Sequence, residues 1–150
     1  MEIRIDSRQV RKLLAKGLST LGDMTPAMRN IAQMMRSTVD KNFEAEGRDE
    51  RGRTHIWKEL ASSTQGRRAK YKGEARKAHP ILEFTGRLKQ SINIAWGKDW
   101  AQVYTGVKYG VYHQTGTKKM PARPFMVMPK SDLRDIENYF QNWLEKEMKP

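Results

Sequence analysis

Apolar residues recur at helical spacing in three stretches of the chain. The first covers residues 10–21 and ends at Gly22, which suits a helix terminus. In the second, Thr25 offers a cap and Pro26 fits a first helical turn, so we predict that residues 26–46 form the longest helix of the fold. The third follows Ser131, a second capping residue, and predicts a C-terminal helix.

Alternation of apolar and polar residues predicts strands elsewhere. Residues 92–96 and 100–107 alternate on either side of a Gly-Lys-Asp turn, which indicates a β-hairpin. Residues 2–6 alternate as well, and the apolar run 125–128 is typical of another short strand. The fold class predicted is α+β, with a small antiparallel sheet on which a long N-terminal helix and a C-terminal helix pack, in a single domain spanning residues 1–150.

Residues 47–80 show neither pattern. They are rich in Lys, Arg and Gly and poor in apolar residues. We predict a long basic loop, too long for a simple connection and mobile until a partner binds. Trp57 stands almost alone in it, and we expect its indole to anchor the loop to the core rather than to contact a partner.

The charge of the chain points to acidic partners. Lys and Arg number 29 against 17 Asp and Glu, a net charge of +12. Such an excess attracts polyanions, either nucleic acid or acidic protein surfaces. A solvated basic surface with no dedicated ligand is the alternative. The apolar fraction of 37% is low, which fits either a thin core with long polar segments or a chain that completes its burial against copies of itself.

Several function classes find no support. With no cysteine, disulfides, thiolate metal sites and a cysteine nucleophile are excluded. No apolar run is long enough to span a bilayer, and residues 1–6 carry no apolar signal core, so we expect a soluble protein without membrane contact. The three histidines lack metal-ligand spacing, and no nucleophile elbow or phosphate-binding loop appears. We therefore expect no enzyme, cofactor or metal, and disfavour a small metal-dependent nuclease.

Cations are the remaining candidates for a site. Basic side chains neutralise phosphates by releasing counterions, without reading sequence. The chain lacks a known DNA-reading module, so any DNA contact is expected to involve the backbone alone. The candidate subunit-interface or DNA-facing residues are Arg48, Arg51, Arg53, Arg67, Arg68, Lys70, Lys72, Arg76, Lys77 and Arg123.

Three sequence motifs occur in a characteristic order. The first is Trp57-x-x-Leu60, followed by Thr64 and a basic run. The second is Ile81-Leu82-x-x-Thr85-Gly86-x-Leu88-x-x-Ser91. The third is Tyr109-Gly110-x-Tyr112-His113-Gln114-x-Gly116-Thr117, then Met120-Pro121-Ala122-Arg123-Pro124-Phe125. Together they resemble the phage virion-morphogenesis family, also called the tail-completion family, of Mu-like phages and prophages.

The resemblance implies a non-enzymatic structural protein that acts in tail completion or head–tail joining as a subunit of a ring. The implied partners are copies of itself and other neck or tail proteins, with non-specific contact to packaged DNA as a further expectation. The implied location is the virion, at the head–tail junction or tail end, and the host bacterial cytoplasm during assembly. A sequence-independent nucleic-acid-binding protein is the alternative. Motif residues expected to have structural roles are Trp57, Leu60, Leu82, Thr85, Gly86, Leu88, His113, Gly116, Pro121, Pro124 and Phe125.

Overall fold

The computed structural model describes residues 8–149. Its α-helices and strands, in chain order, are α1 (Arg8–Thr20), α2 (Thr25–Glu44), α3 (Ser62–Lys72), α4 (Arg87–Gln90), β1 (Ile92–Trp96), β2 (Ala101–Thr105), α5 (Gly110–Thr115) and α6 (Lys130–Glu147). A single 3-10 turn at Glu74–Arg76 follows α3. The α+β fold class is confirmed, whereas the strand predicted at residues 2–6 lies outside the described residues.

Helix α2 is the longest described helix and packs on both strands of the sheet. It begins at Thr25, with Pro26 in its first turn as predicted. The predicted cap by Thr25 is not formed, because Oδ1 of Asp23 instead accepts hydrogen bonds from the Thr25 backbone N–H and hydroxyl. The apolar stripe is buried along the whole helix and consists of Met28, Ile31, Ala32, Met35, Val39 and Phe43.

The sheet is the predicted hairpin. Strands β1 and β2 are antiparallel, with Ile92 opposite Thr105 and Trp96 opposite Ala101. Ile92 is fully buried, so one face of the hairpin closes the core against α2. Trp96 is partly exposed at the far end of the hairpin.

Helix α6 encloses the core from the other side, packing against α1 and α2. It starts at Lys130 with Pro129 in the N-cap position, so the predicted cap by Ser131 is wrong by two positions. The Ser131 hydroxyl instead donates to Oδ1 of Asp132 at 3.2 Å. Ile136, Phe140 and Leu144 form its buried stripe.

The strand predicted at residues 125–128 is wrong, and side-chain amides explain why. Oε1 of Gln114 accepts the backbone N–H groups of Phe125 and Met126, each at 3.0 Å. Nδ2 of Asn42 donates to the carbonyl oxygens of Phe125 and Val127 at 2.7 and 2.9 Å. Because buried backbone groups need partners, these two side chains replace a neighbouring strand.

Residues 47–80 are not the structureless loop that the sequence predicted, since α3 lies in their middle. Side-chain hydrogen bonds fix the segment near both of its ends. Near one end, the Trp57 indole is buried as expected, and its Nε1–H donates to the carbonyl oxygen of Pro124 at 2.8 Å. At the other, the Glu46 carboxylate lies 2.8 Å from Nδ1 of His79 and accepts the backbone N–H of Ile81 at 2.9 Å.

Candidate functional site

The three sequence motifs meet at one cleft of about 490 Å³, which we call the motif cleft. The first motif contributes the segment from Glu59 to Arg68, the second contributes the segment from Leu82 to Leu88, and the third contributes residues between Tyr109 and Arg123. These stretches are far apart in the sequence and become neighbours only through the fold. Motif residues lining the cleft are Leu60, Thr64, Leu82, Thr85, Leu88, Tyr109, His113, Met120, Pro121 and Arg123.

Arg68 forms one wall of the motif cleft and is the buried residue of α3. Its guanidinium donates from Nη2 to the carbonyl oxygen of Pro80 at 2.8 Å and from Nη1 to that of Ala78 at 3.4 Å. It also lies over the Phe84 ring, with Cζ 5.7 Å from the ring centroid. Its Nε is buried and has no hydrogen-bond partner among the described residues.

Arg123 lines the same cleft from the third motif and holds the first motif in place. It is 4% exposed, and its guanidinium donates from Nε to the carbonyl oxygen of Lys58 at 2.7 Å and from Nη2 to that of Glu59 at 2.8 Å. The planar fork of arginine suits two adjacent carbonyls. With the Trp57 bond to Pro124, these contacts form a reciprocal clasp between residues 57–59 and 123–124.

The motif cleft carries a net positive charge, because four of its lining residues are basic and one is acidic. In the part of the chain that the structure describes, neither Arg68 nor Arg123 has a carboxylate within ion-pair distance, and burial lowers the pKa of both guanidinium groups. Arg67 and Lys119 add two exposed cations to the lining. Glu59 is the one acidic residue of the lining.

His113 is a packing residue of this cleft. Burial, with a contribution from the charge of Arg123, lowers the pKa of His113, which favours the neutral ring. The ring meets Tyr109 edge-on, with centroids 5.9 Å apart. Its backbone carbonyl accepts the N–H of Arg123 at 2.7 Å. Nδ1 of the ring is buried and has no hydrogen-bond partner among the described residues.

Two motif glycines occupy turns that require them. Gly86 has φ 77° and precedes α4, where the hydroxyl of Thr85 accepts the Arg87 backbone N–H at 3.3 Å. Gly116 has φ 76°, and a Cβ there would lie 2.7 Å from the backbone nitrogen of Ala122. Both positions therefore fix the backbone next to the cleft.

Arg48, another of the candidate cations, is largely buried. Its guanidinium pairs with Asp132, with Nη2 2.7 Å from Oδ2 and Nη1 3.2 Å from Oδ1. Nε donates to Oδ1 of Asn42 at 2.8 Å, and the Thr38 hydroxyl donates to Oδ2 of Asp132 at 2.8 Å. Burial alone would raise the pKa of Asp132, but the hydrogen bonds from Arg48 and Thr38 outweigh it and the pKa lies below its usual value. Arg48 thus joins α2 to the first turn of α6.

The other candidate cations lie outside the motif cleft and mostly face solvent. Arg53 pairs with Asp49, and Nζ of Lys77 lies 3.3 Å from a Glu74 carboxylate oxygen. The exposed ones are Arg51, Arg53, Lys70, Lys72 and Arg76. The structure therefore brings Arg67, Arg68 and Arg123 together and leaves the remainder spread over the surface or, for Arg48, inside.

Comparison with known proteins decides the family. The model of the phage virion morphogenesis family matches residues 5–145. The chain belongs to this family. Mu-like prophage FluMu G protein 2 of Haemophilus influenzae is 31% identical, over 94% of this chain and 96% of that protein. FluMu G protein 1 of the same organism is 27% identical, over 91% of this chain and 90% of that protein. No solved structure matches the chain.

The sequence alone missed part of the site. Phe84 and Lys119 line the cleft and were not among the candidates. The pair Lys118-Lys119 directly before Met120 is the signal that could have indicated a basic rim. Within residues 8–149, no cluster of three metal-binding side chains is present, and none of the helices has the length and apolar character needed to cross a membrane.

Proposed function

We propose that this protein is a structural subunit that forms a ring and completes the tail or joins it to the head. The observation that carries the proposal is the match to the virion morphogenesis family across residues 5–145. The names of the two relatives place them in Mu-like prophages, which supports a role in the same kind of particle. The partners proposed are copies of this chain and other neck or tail proteins.

Exposed apolar side chains support the ring. A closed ring needs two different faces that fit one another on successive subunits. Trp100 is 48% exposed near the turn of the hairpin, and Tyr112 is 56% exposed on α5. Single exposed apolar side chains are common, but Trp96 is also exposed on the hairpin and Val111 is also exposed on α5. Grouped apolar side chains at the surface are typical of contact regions. We therefore propose that the hairpin end and α5 take part in contacts between subunits.

Loss of the gene in the phage or prophage that encodes this chain tests the role in assembly. We expect unjoined heads and tails, or tails lacking their end structure, in electron micrographs of the lysate, together with loss of infectivity. Supplying the intact gene in trans should restore both, and rings of purified protein should be visible by negative staining. Complete, infectious particles formed without the protein would contradict the proposal.

Sequence-independent nucleic-acid binding is the second candidate, and the exposed cations near α3 favour it. Lys70 and Lys72 are exposed in its last turn, and Arg76 follows. Binding of a DNA duplex should then weaken steeply as salt rises, since each phosphate contact releases counterions. The variant Lys70→Glu/Lys72→Glu should flatten that salt dependence. An unchanged slope would exclude this surface as a DNA contact.

The expected mobility of residues 47–80 remains a prediction. Hydrogen exchange in the free subunit and in assembled rings would measure it. If protection of this segment rises on assembly, a neighbouring subunit orders it. Full protection in the free subunit would contradict the predicted mobility.

A further inference from the structure

We propose that the motif cleft binds an acidic segment with an apolar anchor residue, contributed by another protein of the virion. The inference deepens the proposed function and rests on it for the source of the partner. Three features of the cleft carry it: its apolar interior, its positive charge, and the left-handed backbone of a residue that lines it.

The interior of the motif cleft suits a large apolar side chain. Leu60, Leu88 and Met120 line it, and its volume of about 490 Å³ lies within the range of ligand sites. Leu82 also lines it and has φ 64°, a left-handed conformation that a leucine rarely adopts. Such backbone strain persists where surrounding contacts enforce it, and it is concentrated at binding sites.

The charge of the motif cleft suits carboxylates. Arg68 and Arg123 donate to neutral carbonyl oxygens rather than to carboxylates. Carboxylates of this chain act on both only from beyond ion-pair distance, so part of the positive charge remains to act on whatever enters the cleft. Arg67 and Lys119 lie at the surface, where an incoming carboxylate can reach them. The acidic lining residue, Glu59, has a carboxylate oxygen 3.4 Å from Nε2 of His79, and the protonated form of that imidazole offsets part of its charge.

A protein segment fits these features better than nucleic acid. Phosphate backbones are bound mainly by polar and basic groups, and the apolar interior would remain unused. Both buried guanidinium groups already hold carbonyls of this chain, which leaves two exposed cations, Arg67 and Lys119, for a ligand. An acidic peptide with one Leu or Phe would use both the rim and the interior.

Synthetic peptides added to the full chain test the proposal without knowledge of the natural partner. The first peptide has Asp and Glu on both sides of a Phe-Leu pair. In the second, Ser replaces Phe and Leu, and in the third, Lys replaces the acidic residues. Backbone amide shifts in NMR spectra are the readout. We expect saturable shifts at residues lining the motif cleft with the first peptide and none there with the other two.

A pair of charge-matched variants locates the binding. Arg67→Glu/Lys119→Glu is expected to raise the dissociation constant of the first peptide about tenfold, because two attractive contacts become repulsive. Lys12→Glu/Arg134→Glu makes the same change in net charge at exposed positions of α1 and α6. This variant should change the dissociation constant of the first peptide by less than about twofold. Because all four side chains are exposed, both variants should keep the native circular dichroism spectrum.

The proposal is overturned if the first peptide leaves the cleft amides unshifted, or if the Ser peptide binds equally well. If both double variants weaken binding of the first peptide equally, the proposal is also overturned, because the peptide would then be attracted by the overall positive charge of the protein. A DNA duplex that shifts the same amides with higher affinity would assign the cleft to nucleic acid instead. These outcomes do not depend on particle assembly. If the protein binds the first peptide but proves dispensable for assembly, the proposed function is rejected and the binding proposal stands.

Discussion

The ion pair between Arg48 and Asp132 gives the sharpest prediction for stability. Each side chain is 12% exposed, and the carboxylate accepts two hydrogen bonds from the guanidinium and one from Thr38. Asp132→Asn keeps the shape but leaves the cation buried and uncompensated. Breaking a buried pair costs about 3–5 kcal/mol, and residual access to water argues for the low end, about 3 kcal/mol.

Urea unfolding, monitored by tryptophan fluorescence, measures this loss in the free energy of unfolding. For a chain of this length, about 3 kcal/mol also corresponds to a melting temperature lower by roughly 6–12 °C. Asp40→Asn is the matched control, because Nε of Arg36 lies 3.9 Å from the Asp40 carboxylate and both side chains are well exposed. Its effect should stay below about 1 kcal/mol.

A double-mutant cycle separates the pair from its surroundings. Arg48→Met should destabilise the chain by about 2–3 kcal/mol, and adding Asp132→Asn to it should cost much less than it does alone. Additive effects, or an Asp132→Asn loss below about 1 kcal/mol, would refute the reasoning. Arg48 would then be a hydrated cation, open to a partner.

Three further predictions concern single residues. Trp57→Phe should lower the free energy of unfolding by about 1–3 kcal/mol, because it removes the buried indole N–H bond that secures residues 47–80; urea unfolding measures this. The Glu46 carboxylate raises the pKa of His79, so the stability that this pair adds is present below about pH 6.5 and is lost as the pH rises through the raised pKa. His79→Gln should therefore lower the melting temperature more near pH 6 than near pH 8, when it is compared with the unsubstituted chain at each pH. Gly116→Ala should cost about 1–3 kcal/mol because of its positive φ and the nearby backbone, whereas Gly66→Ala, in open space on α3, should stabilise by about 0.5–1 kcal/mol; thermal melts of the two would distinguish them.

The elements that bury an apolar stripe could be predicted from the sequence. Helix α2, the hairpin and α6 each present a regular face to the core, and the limits predicted for α2 and the two strands lie within two residues of those observed. Helix α3 was missed because it buries a guanidinium rather than a row of apolar side chains. That guanidinium donates to the carbonyls of residues 78 and 80, which no local pattern connects to Arg68.

The candidate site was predictable only in part, for a similar reason. The motifs supplied most of the residues that line the cleft, yet their sequence spacing does not show that they converge on one space. Arg48 and Arg68 resembled the solvated cations around them, and only the carboxylate of Asp132 and the carbonyls near Pro80 set them apart. The error at residues 125–128 came from Gln114 and Asn42, whose amides take the place of a strand.

The clasp at residues 57–59 and the Glu46–His79 contact hold both ends of the stretch between them in place. We therefore expect that a change of length at the exposed end of α3 would leave the hairpin and α2 undisturbed. The same independence suits labelling. Because the chain contains no cysteine, Lys72→Cys at the exposed end of α3 would carry a single fluorophore or gold particle, and could mark the position of each copy in a micrograph.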